Sequence, residues 1–343
     1  MRAVKLKKKD LSSFLECIRT WGELWGPVPQ GDRYVLKWVD DPNRLALFAQ
    51  RTTLPFKKLW TPPKFSMFGF SGKNYTEQLG LIGNRILVGL HPCDIHALLI
   101  MDEFHAKHHP DPYYLEHRKR TAIVGFSCVP DEKCFCNATH TDSVEEGFDL
   151  FLTDLDDFFL IWIGSSLGDD LVRSCPNLVQ EKVSPCDVKL YIDWQKERNT
   201  QFKMDIDLTS MPDIMELSSE SAVWEDDGKR CLSCGACTIV CPTCPCFNVY
   251  DQTRMDKLEG ERIRQWDSCQ FREYSMVAGG HNFRAARSER LKLRFTHKLQ
   301  AWVGEFGKPA CVGCGRCIGT CPVDIDIQTV VKKLQGEEVS VCQ

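Results

Sequence analysis

The chain has 343 residues, enough to bury a sizeable core and to divide into two domains. A formal net charge of −4 is mild and favours neither nucleic acid nor a membrane surface as the main partner. Nineteen cysteines far exceed ordinary usage, yet the chain is too long, and its thiols too closely spaced, for a secreted disulfide scaffold.

Met1 to Asp10 is basic but leads into no apolar stretch, so no signal peptide is read there. No run approaches the ~20 apolar residues of a membrane span. The apolar run from Phe158 to Ile163 is too short and follows Asp154, Asp156 and Asp157. The reducing cytoplasm is the expected compartment. Leu11, Phe14, Leu15 and Ile18 fall at helical spacing, predicting a helix over 10–22, and a strand is read from Arg33 to Trp38. Residues 52–75, with Pro55, Pro62, Pro63, Gly69 and Gly72, read as a long loop or broken elements.

Ile86 to Leu90 is a short apolar strand, broken by His91-Pro92-Cys93-Asp94. A helix from Ile95 to His105 follows, with Asp94 as candidate N-cap, and then a second apolar strand, Ala122 to Phe126. Strand, helix and strand of this length make a βαβ unit with parallel strands. Leu150–Thr153 and Phe158–Ile163 form a hairpin across an acidic turn. The predicted class is α+β overall. Residues 1–210 are an α/β domain with a partly parallel sheet, and residues 211–229 are an acidic linker.

The most specific signal comes next. Cys231, Cys234, Cys237 and Cys241, followed by Pro242, recur as Cys311, Cys314, Cys317 and Cys321, followed by Pro322. Each run reads C-x2-C-x2-C-x3-C-P, the spacing with which bacterial ferredoxins hold two [4Fe-4S] clusters, the fourth cysteine of each run serving the other cluster. The first ligand set is therefore Cys231, Cys234, Cys237 and Cys321. The second is Cys311, Cys314, Cys317 and Cys241. Zinc, the other reading of paired CxxC motifs, needs only four ligands, whereas two complete runs are present. The predicted ferredoxin-like dicluster domain spans 230–330, interrupted by a long helical insert over 243–309 and followed by a tail over 331–343.

A third group lies upstream. Cys93 and Cys128 each sit just past the carboxyl end of a predicted parallel strand, the edge where open α/β sheets bind ligands. Cys134 and Cys136 follow in Cys128-Val-Pro-Asp-Glu-Lys-Cys134-Phe-Cys136. The preferred reading is a third [4Fe-4S] cluster on Cys93, Cys128, Cys134 and Cys136. Zinc on the same sulfurs, a redox-active Cys93 at a helix N-terminus, and purely structural cysteines stay open. His91, His96, His105, His108 and His109 crowd this region and are read as packing or surface groups. Within the insert, Cys244, Cys246 and Cys269 are either extra ligands or small apolar packing groups. Arg284, Arg287, Arg290, Lys292, Arg294 and Lys298 form a basic run. Such a run usually means a solvated helix face, though cations near clusters would also raise their potentials or dock an acidic partner.

Taken together, several motifs resemble one family over about residues 80–330. They are His-Pro-Cys93-Asp, the Cys128 to Cys136 group, Cys-Pro-Thr-Cys244-Pro-Cys246-Phe, Trp-Asp-Ser-Cys269, Val-Ala-Gly-Gly-His-Asn-Phe-Arg284 and Cys311-Val-Gly-Cys-Gly-Arg-Cys-Ile. The family is that of iron–sulfur beta subunits of soluble nickel–iron sulfhydrogenases. It is similar to the iron–sulfur subunits of anaerobic sulfite reductase and of flavin oxidoreductases coupled to heterodisulfide reductase. The family more often has Arg where this chain has His91. The resemblance implies an electron-transfer subunit. Its partners would be a flavin subunit handling NAD(P)H and a hydrogenase, heterodisulfide reductase or sulfite reductase subunit. No G-x-G-x-x-G follows a predicted strand, so no dinucleotide site is read in the chain itself, and no nucleophile–base arrangement suggests a catalytic residue. Direct reduction of a sulfur compound at the N-terminal site, and redox sensing or metal storage by the chain alone, are the alternatives.

Overall fold

A computed structural model describes residues 2–77, 82–107, 109–254 and 256–336. In chain order the first strands are β1 (Arg2–Lys7), β2 (Glu23–Gln30), β3 (Arg33–Trp38), β4 (Lys64–Ser71), β5 (Asn74–Glu77) and β6 (Arg85–Leu90). They are followed by β7 (Thr121–Phe126), β8 (Leu150–Asp154), β9 (Phe158–Ile163), β10 (Val179–Gln180), β11 (Phe247–Thr253) and β12 (Glu259–Trp266). The helices that matter below are α1 (Leu11–Ile18), α2 (Pro92–Ala106), α3 (Pro112–Lys119), α4 (Ser166–Arg173), α5 (Pro185–Asn199) and α6 (Met211–Leu217). The remainder are α7 (Ala222–Arg230), α8 (Ala236–Ile239), α9 (Arg287–Thr296), α10 (Trp302–Phe306) and α11 (Ile327–Leu334). These elements gather into two units, each assembled from separated stretches. The first takes Met1–Thr61, Leu79–Glu132 and Thr141–Phe202, and the second Pro62–Gln78, Lys133–His140 and Lys203–Gln343.

The first unit is built on an eight-stranded sheet in the order β10-β1-β9-β8-β7-β6-β2-β3. Strands β2, β6, β7 and β8 run parallel, and the rest pair antiparallel. Alternate side chains enter two separate cores. Ile86, Val88, Val124, Leu150 and Leu152 pack on the face covered by Phe14, Leu15 and Ile18 of α1. Leu87, Ile123 and Phe151 pack on the other face with Ile95, Leu98 and Met101 of α2 and Tyr114 of α3. Burial on both faces is why these strands read as continuous apolar runs rather than as alternation. The parallel pairing of β6 with β7, and the β8–β9 hairpin, agree with the sequence reading. A disulfide between Cys17 and Cys175 ties α1 to the turn after α4, a link the sequence reading does not anticipate.

Several boundaries differ. The first helix ends at Ile18 and continues as a 3-10 turn over Arg19–Trp21. The helix expected from Ile95 begins at Pro92, with His91 rather than Asp94 as its cap, because Pro92 already has the backbone angle of a first helical position. Asp94 lies in the first turn and is buried. The segment 52–75 holds a 3-10 turn, Phe56–Leu59, and strand β4.

The second unit carries a four-stranded antiparallel sheet, β11-β12-β4-β5. The expected linker over 211–229 is instead α6 and most of α7, because Met211, Met215 and Trp224 bury themselves in a core with Phe295, Leu299, Ile327 and Val330. The expected long helical insert opens with the β11–β12 hairpin before turning helical. Residues 331–334 belong to α11, and the rest of the expected tail from residue 337 on lies outside the described residues, as does His108.

Phe159 is completely buried and meets Phe126 edge to face, ring centroids 5.9 Å apart. Phe159→Ala should therefore cost about 3–5 kcal/mol. The measurement is the shift in denaturant midpoint of the full chain, with the slope of the transition unchanged.

Candidate metal centre

The first cysteine run starts where α7 ends. Cys231 is the C-cap of α7, Cys234 lies in the loop, and Gly235 begins the short α8 that carries Cys237. Cys231, Cys234, Cys237 and Cys321 line one cavity, so the last cysteine of the second run reaches the first three of the other. Two backbone N–H groups donate to these sulfurs, Ser233 to Cys231 at 3.4 Å and Ile325 to Cys321 at 3.3 Å. Burial raises the Cys237 thiol above its ordinary range, opposed by Arg294 and reinforced by Cys231, Cys241 and Cys321.

The other four thiols also gather. Burial pushes Cys311 up to about 12, helped by Cys317, Cys241 and Cys314. Cys317 is likewise pushed up to about 12, by burial against the opposing pull of Arg294, with Cys314, Cys241 and Cys237 as negative neighbours. Thiols so destabilised as thiolates by burial and mutual repulsion suit a cationic iron core, which removes their charge problem by ligation. Buried cations and amide donors around them fit the same group. Among the described residues no group of three or more His, Cys, Asp or Glu side chains is placed to hold a single metal ion.

The third group is divided between the units. Cys93 is buried in the first turn of α2, and Cys128 follows β7; both belong to the first unit. Burial raises the Cys128 thiol, but His91 and then Arg198 outweigh it and hold it below its ordinary range. Arg198, itself buried, donates from Nε to the Cys128 carbonyl at 2.7 Å and from Nη2 to the Asp142 carbonyl at 2.9 Å. Beside it, at the carboxyl ends of β7 and β8, is a cavity of about 460 Å3 lined by Ser127, Thr153, Trp162, Tyr191, Trp194 and Arg198. Tyr191, Trp194, Gln195 and Arg198 repeat at helical spacing along α5, the signal by which the sequence could have shown this wall.

Cys134 and Cys136 are buried in the second unit, where the Phe135 N–H donates to the Gly313 carbonyl at 3.0 Å. Gly313 has φ +61° and a Cβ there would lie 2.4 Å from the Cys136 nitrogen; at Gly315, φ +70°, it would meet the Lys133 carbonyl oxygen at 2.5 Å. Only glycine lets the second cysteine loop lie so close against the 133–140 segment. The insert thiols are placed as follows. Cys269 donates to Cys246, which with Tyr274 and Lys298 lowers Cys246 to about 6 against the effect of burial, while Cys269 itself is raised. Cys244 neighbours Lys298.

The basic run is not a solvated face. Arg290, Arg294 and Lys298 are buried, at spacings of four residues along α9 and its continuation, while Arg287 is exposed. Arg290 donates to the carbonyls of Gln270, Arg284 and Ala285 and to the Ser233 hydroxyl.

Residues 230–325 match the family model of the 4Fe-4S dicluster domain, which makes this an iron–sulfur protein of the dicluster class. The chain is 37% identical over 338 residues to sulfhydrogenase 2 subunit beta of Pyrococcus furiosus, covering 98% of this chain and 99% of that one. The chain belongs to the family of sulfhydrogenase beta subunits. Among the described residues no helix is long and apolar enough to cross a membrane.

Gly313→Ala should lower bound iron, because both the positive φ and the Cys136 backbone oppose a methyl group. Gly319→Ala should keep it, since a Cβ there meets the Lys133 side chain only at 3.4 Å and beyond. Iron assay after anaerobic purification of both variants decides the point.

Proposed function

We propose that the chain is the electron-transfer iron–sulfur subunit of a cytoplasmic multi-subunit oxidoreductase. It relays electrons between a flavin subunit handling NAD(P)H and a catalytic subunit of hydrogenase, heterodisulfide reductase or sulfite reductase type. The observation that carries this reading is the cavity shared by Cys231, Cys234, Cys237 and Cys321, in which one run completes the other. Cys311, Cys314, Cys317 and Cys241 hold the second cluster, and Cys93, Cys128, Cys134 and Cys136 a third. When bound, a [4Fe-4S] cluster accepts and returns single electrons, at a potential set by charge, hydrogen bonds and exposure.

The chain's own residues do the rest. The thiolates fix the clusters, and the amides of Ser233 and Ile325 spread the negative charge on Cys231 and Cys321. Phe135, through its bond to Gly313, lays the Cys134–Cys136 segment on the loop of the second set, which supports a continuous path from the third group to the second. Cys244, Cys246 and Cys269 serve as extra ligands in the fullest version of this reading. A second reading, direct reduction of a sulfur compound by the N-terminal site, is favoured by the 460 Å3 cavity beside Cys128.

Iron and acid-labile sulfide counted on anaerobically purified protein test the proposal. About twelve of each per chain is expected, four per cubane, with interacting EPR signals on reduction. Cys93→Ser should bring both counts down to about eight. Parent protein with about eight would remove the third cluster. A spectral change in the reduced protein on adding polysulfide, without any partner subunit, would favour the second reading over the relay.

A further inference from the structure

Besides Arg290, whose guanidinium is engaged by carbonyls and the Ser233 hydroxyl, the basic run holds two further cations that the fold has taken out of water. Arg294 lines the cavity formed by Cys231, Cys234, Cys237 and Cys321, and its buried Nε has no hydrogen-bond partner. Its guanidinium also faces Cys317 and Cys241 of the second set. No carboxylate forms an ion pair with it among the described residues; its charge is held up by sulfur instead. A buried guanidinium without a carboxylate is strongly disfavoured unless an anion compensates it.

Lys298 is the other. Its ammonium donates to the Thr243 hydroxyl at 2.7 Å, the Thr243 carbonyl at 3.1 Å and the Ala310 carbonyl at 3.4 Å. The Thr243 hydroxyl in turn lies 3.3 Å from the Cys241 sulfur. Its partners Thr243 and Ala310 sit beside Cys244 and Cys311. The thiols acting on it, Cys241, Cys244 and Cys311, belong to the second set and the insert, as does Cys246, which it lowers in turn. The two cations therefore have different footprints, one on both ligand sets and one on the second alone.

We infer that Arg294 and Lys298 set the reduction potentials of the paired clusters, Arg294 raising both together and Lys298 raising the second alone. The inference rests on the cluster assignment proposed above. A four-thiolate [4Fe-4S] cluster carries a net charge of about −2 oxidised and about −3 after accepting one electron. A fixed cation nearby stabilises the more negative form by more, so it raises the potential, and burial keeps solvent from screening the effect. Arg294, lining the first site and acting on sulfurs of the second, also keeps their potentials moving in step, whereas Lys298 fixes the difference between them.

The test is a redox titration followed by EPR on the anaerobically purified full chain, beside an iron count. Arg294→Gln should lower both clusters, changing the reduced-to-oxidised ratio at fixed potential about tenfold, or about 59 mV for a one-electron couple. Lys298→Met should lower the second cluster by a similar amount and leave the first where it is. Full iron content with unmoved potentials overturns the inference, as does an equal shift of both clusters in Lys298→Met. If Arg294→Gln loses iron, the charge-keeping Arg294→Lys decides. It must retain iron and potentials close to those of the parent, and equal iron loss in it would mean that shape rather than charge matters, overturning the inference. A parent chain without clusters would instead sink the assignment on which this rests, an outcome the iron count separates from the others.

Discussion

Anionic sulfur buried away from water is the constraint on which the second unit depends. A thiolate removed from solvent needs a metal, N–H donors or cations to be tolerable. The chain supplies all of these from distant places. Cys321 returns to the wall built by Cys231, Cys234 and Cys237, the amides of Ser233 and Ile325 point at sulfur, and α9 brings positive charge from behind. The helices follow from this arrangement. α7 ends at the first cysteine loop, and α11 starts just beyond Cys321, its N-cap Asp326 accepting from the Thr329 N–H. The apolar cluster of Trp224, Phe295, Leu299 and Val330 then locks them together.

Much of the first unit could be read directly because its chemistry is local. Ile86–Leu90 and Ala122–Phe126 are buried on both faces, and an unbroken apolar run of that length has few other meanings. What escaped the reading has physical reasons. In β1 the alternation of Val4 and Leu6 with lysines was masked by the charge of the whole segment. In β2, Pro27 and Pro29 argue against a strand, yet the strand persists because it pairs with β6 only over Glu23–Trp25, before the prolines begin. Strands β4, β11 and β12 bury little and carry no clean period, so pairing defines them, β11 with β12 in a hairpin and β4 with β12 far along the chain.

The candidate site divides in the same way. The two cysteine runs declare themselves by spacing, since a cubane dictates the gaps between its ligands whatever surrounds them. The cations do not. Arg290, Arg294 and Lys298 share one helix face, and periodicity alone would have suggested a stripe, but long basic chains usually point to water and the prior favours that. Only the packing of α9 against the cysteine loops reverses it. Arg198 escaped for a similar reason: its helix, α5, is polar on most sides, and its value comes from a backbone carbonyl seventy residues away.

The assembly of the second unit from three stretches has a consequence for how the protein is made. Lys64–Ser71 and the 133–140 segment leave the ribosome well before the strands and cysteine loops they meet. During synthesis β4 has only the short β5 beside it, and its other edge stays open until β12 emerges nearly two hundred residues later. An open edge is a template for unwanted pairing. The dicluster region is accordingly not a cassette that can be cut at residue 230 and moved elsewhere. Excision would strip β12 of β4, one of its two neighbours, and remove the Phe135 bond that Gly313 accepts. Fusions and truncations of this protein have to keep the early stretches with the late ones.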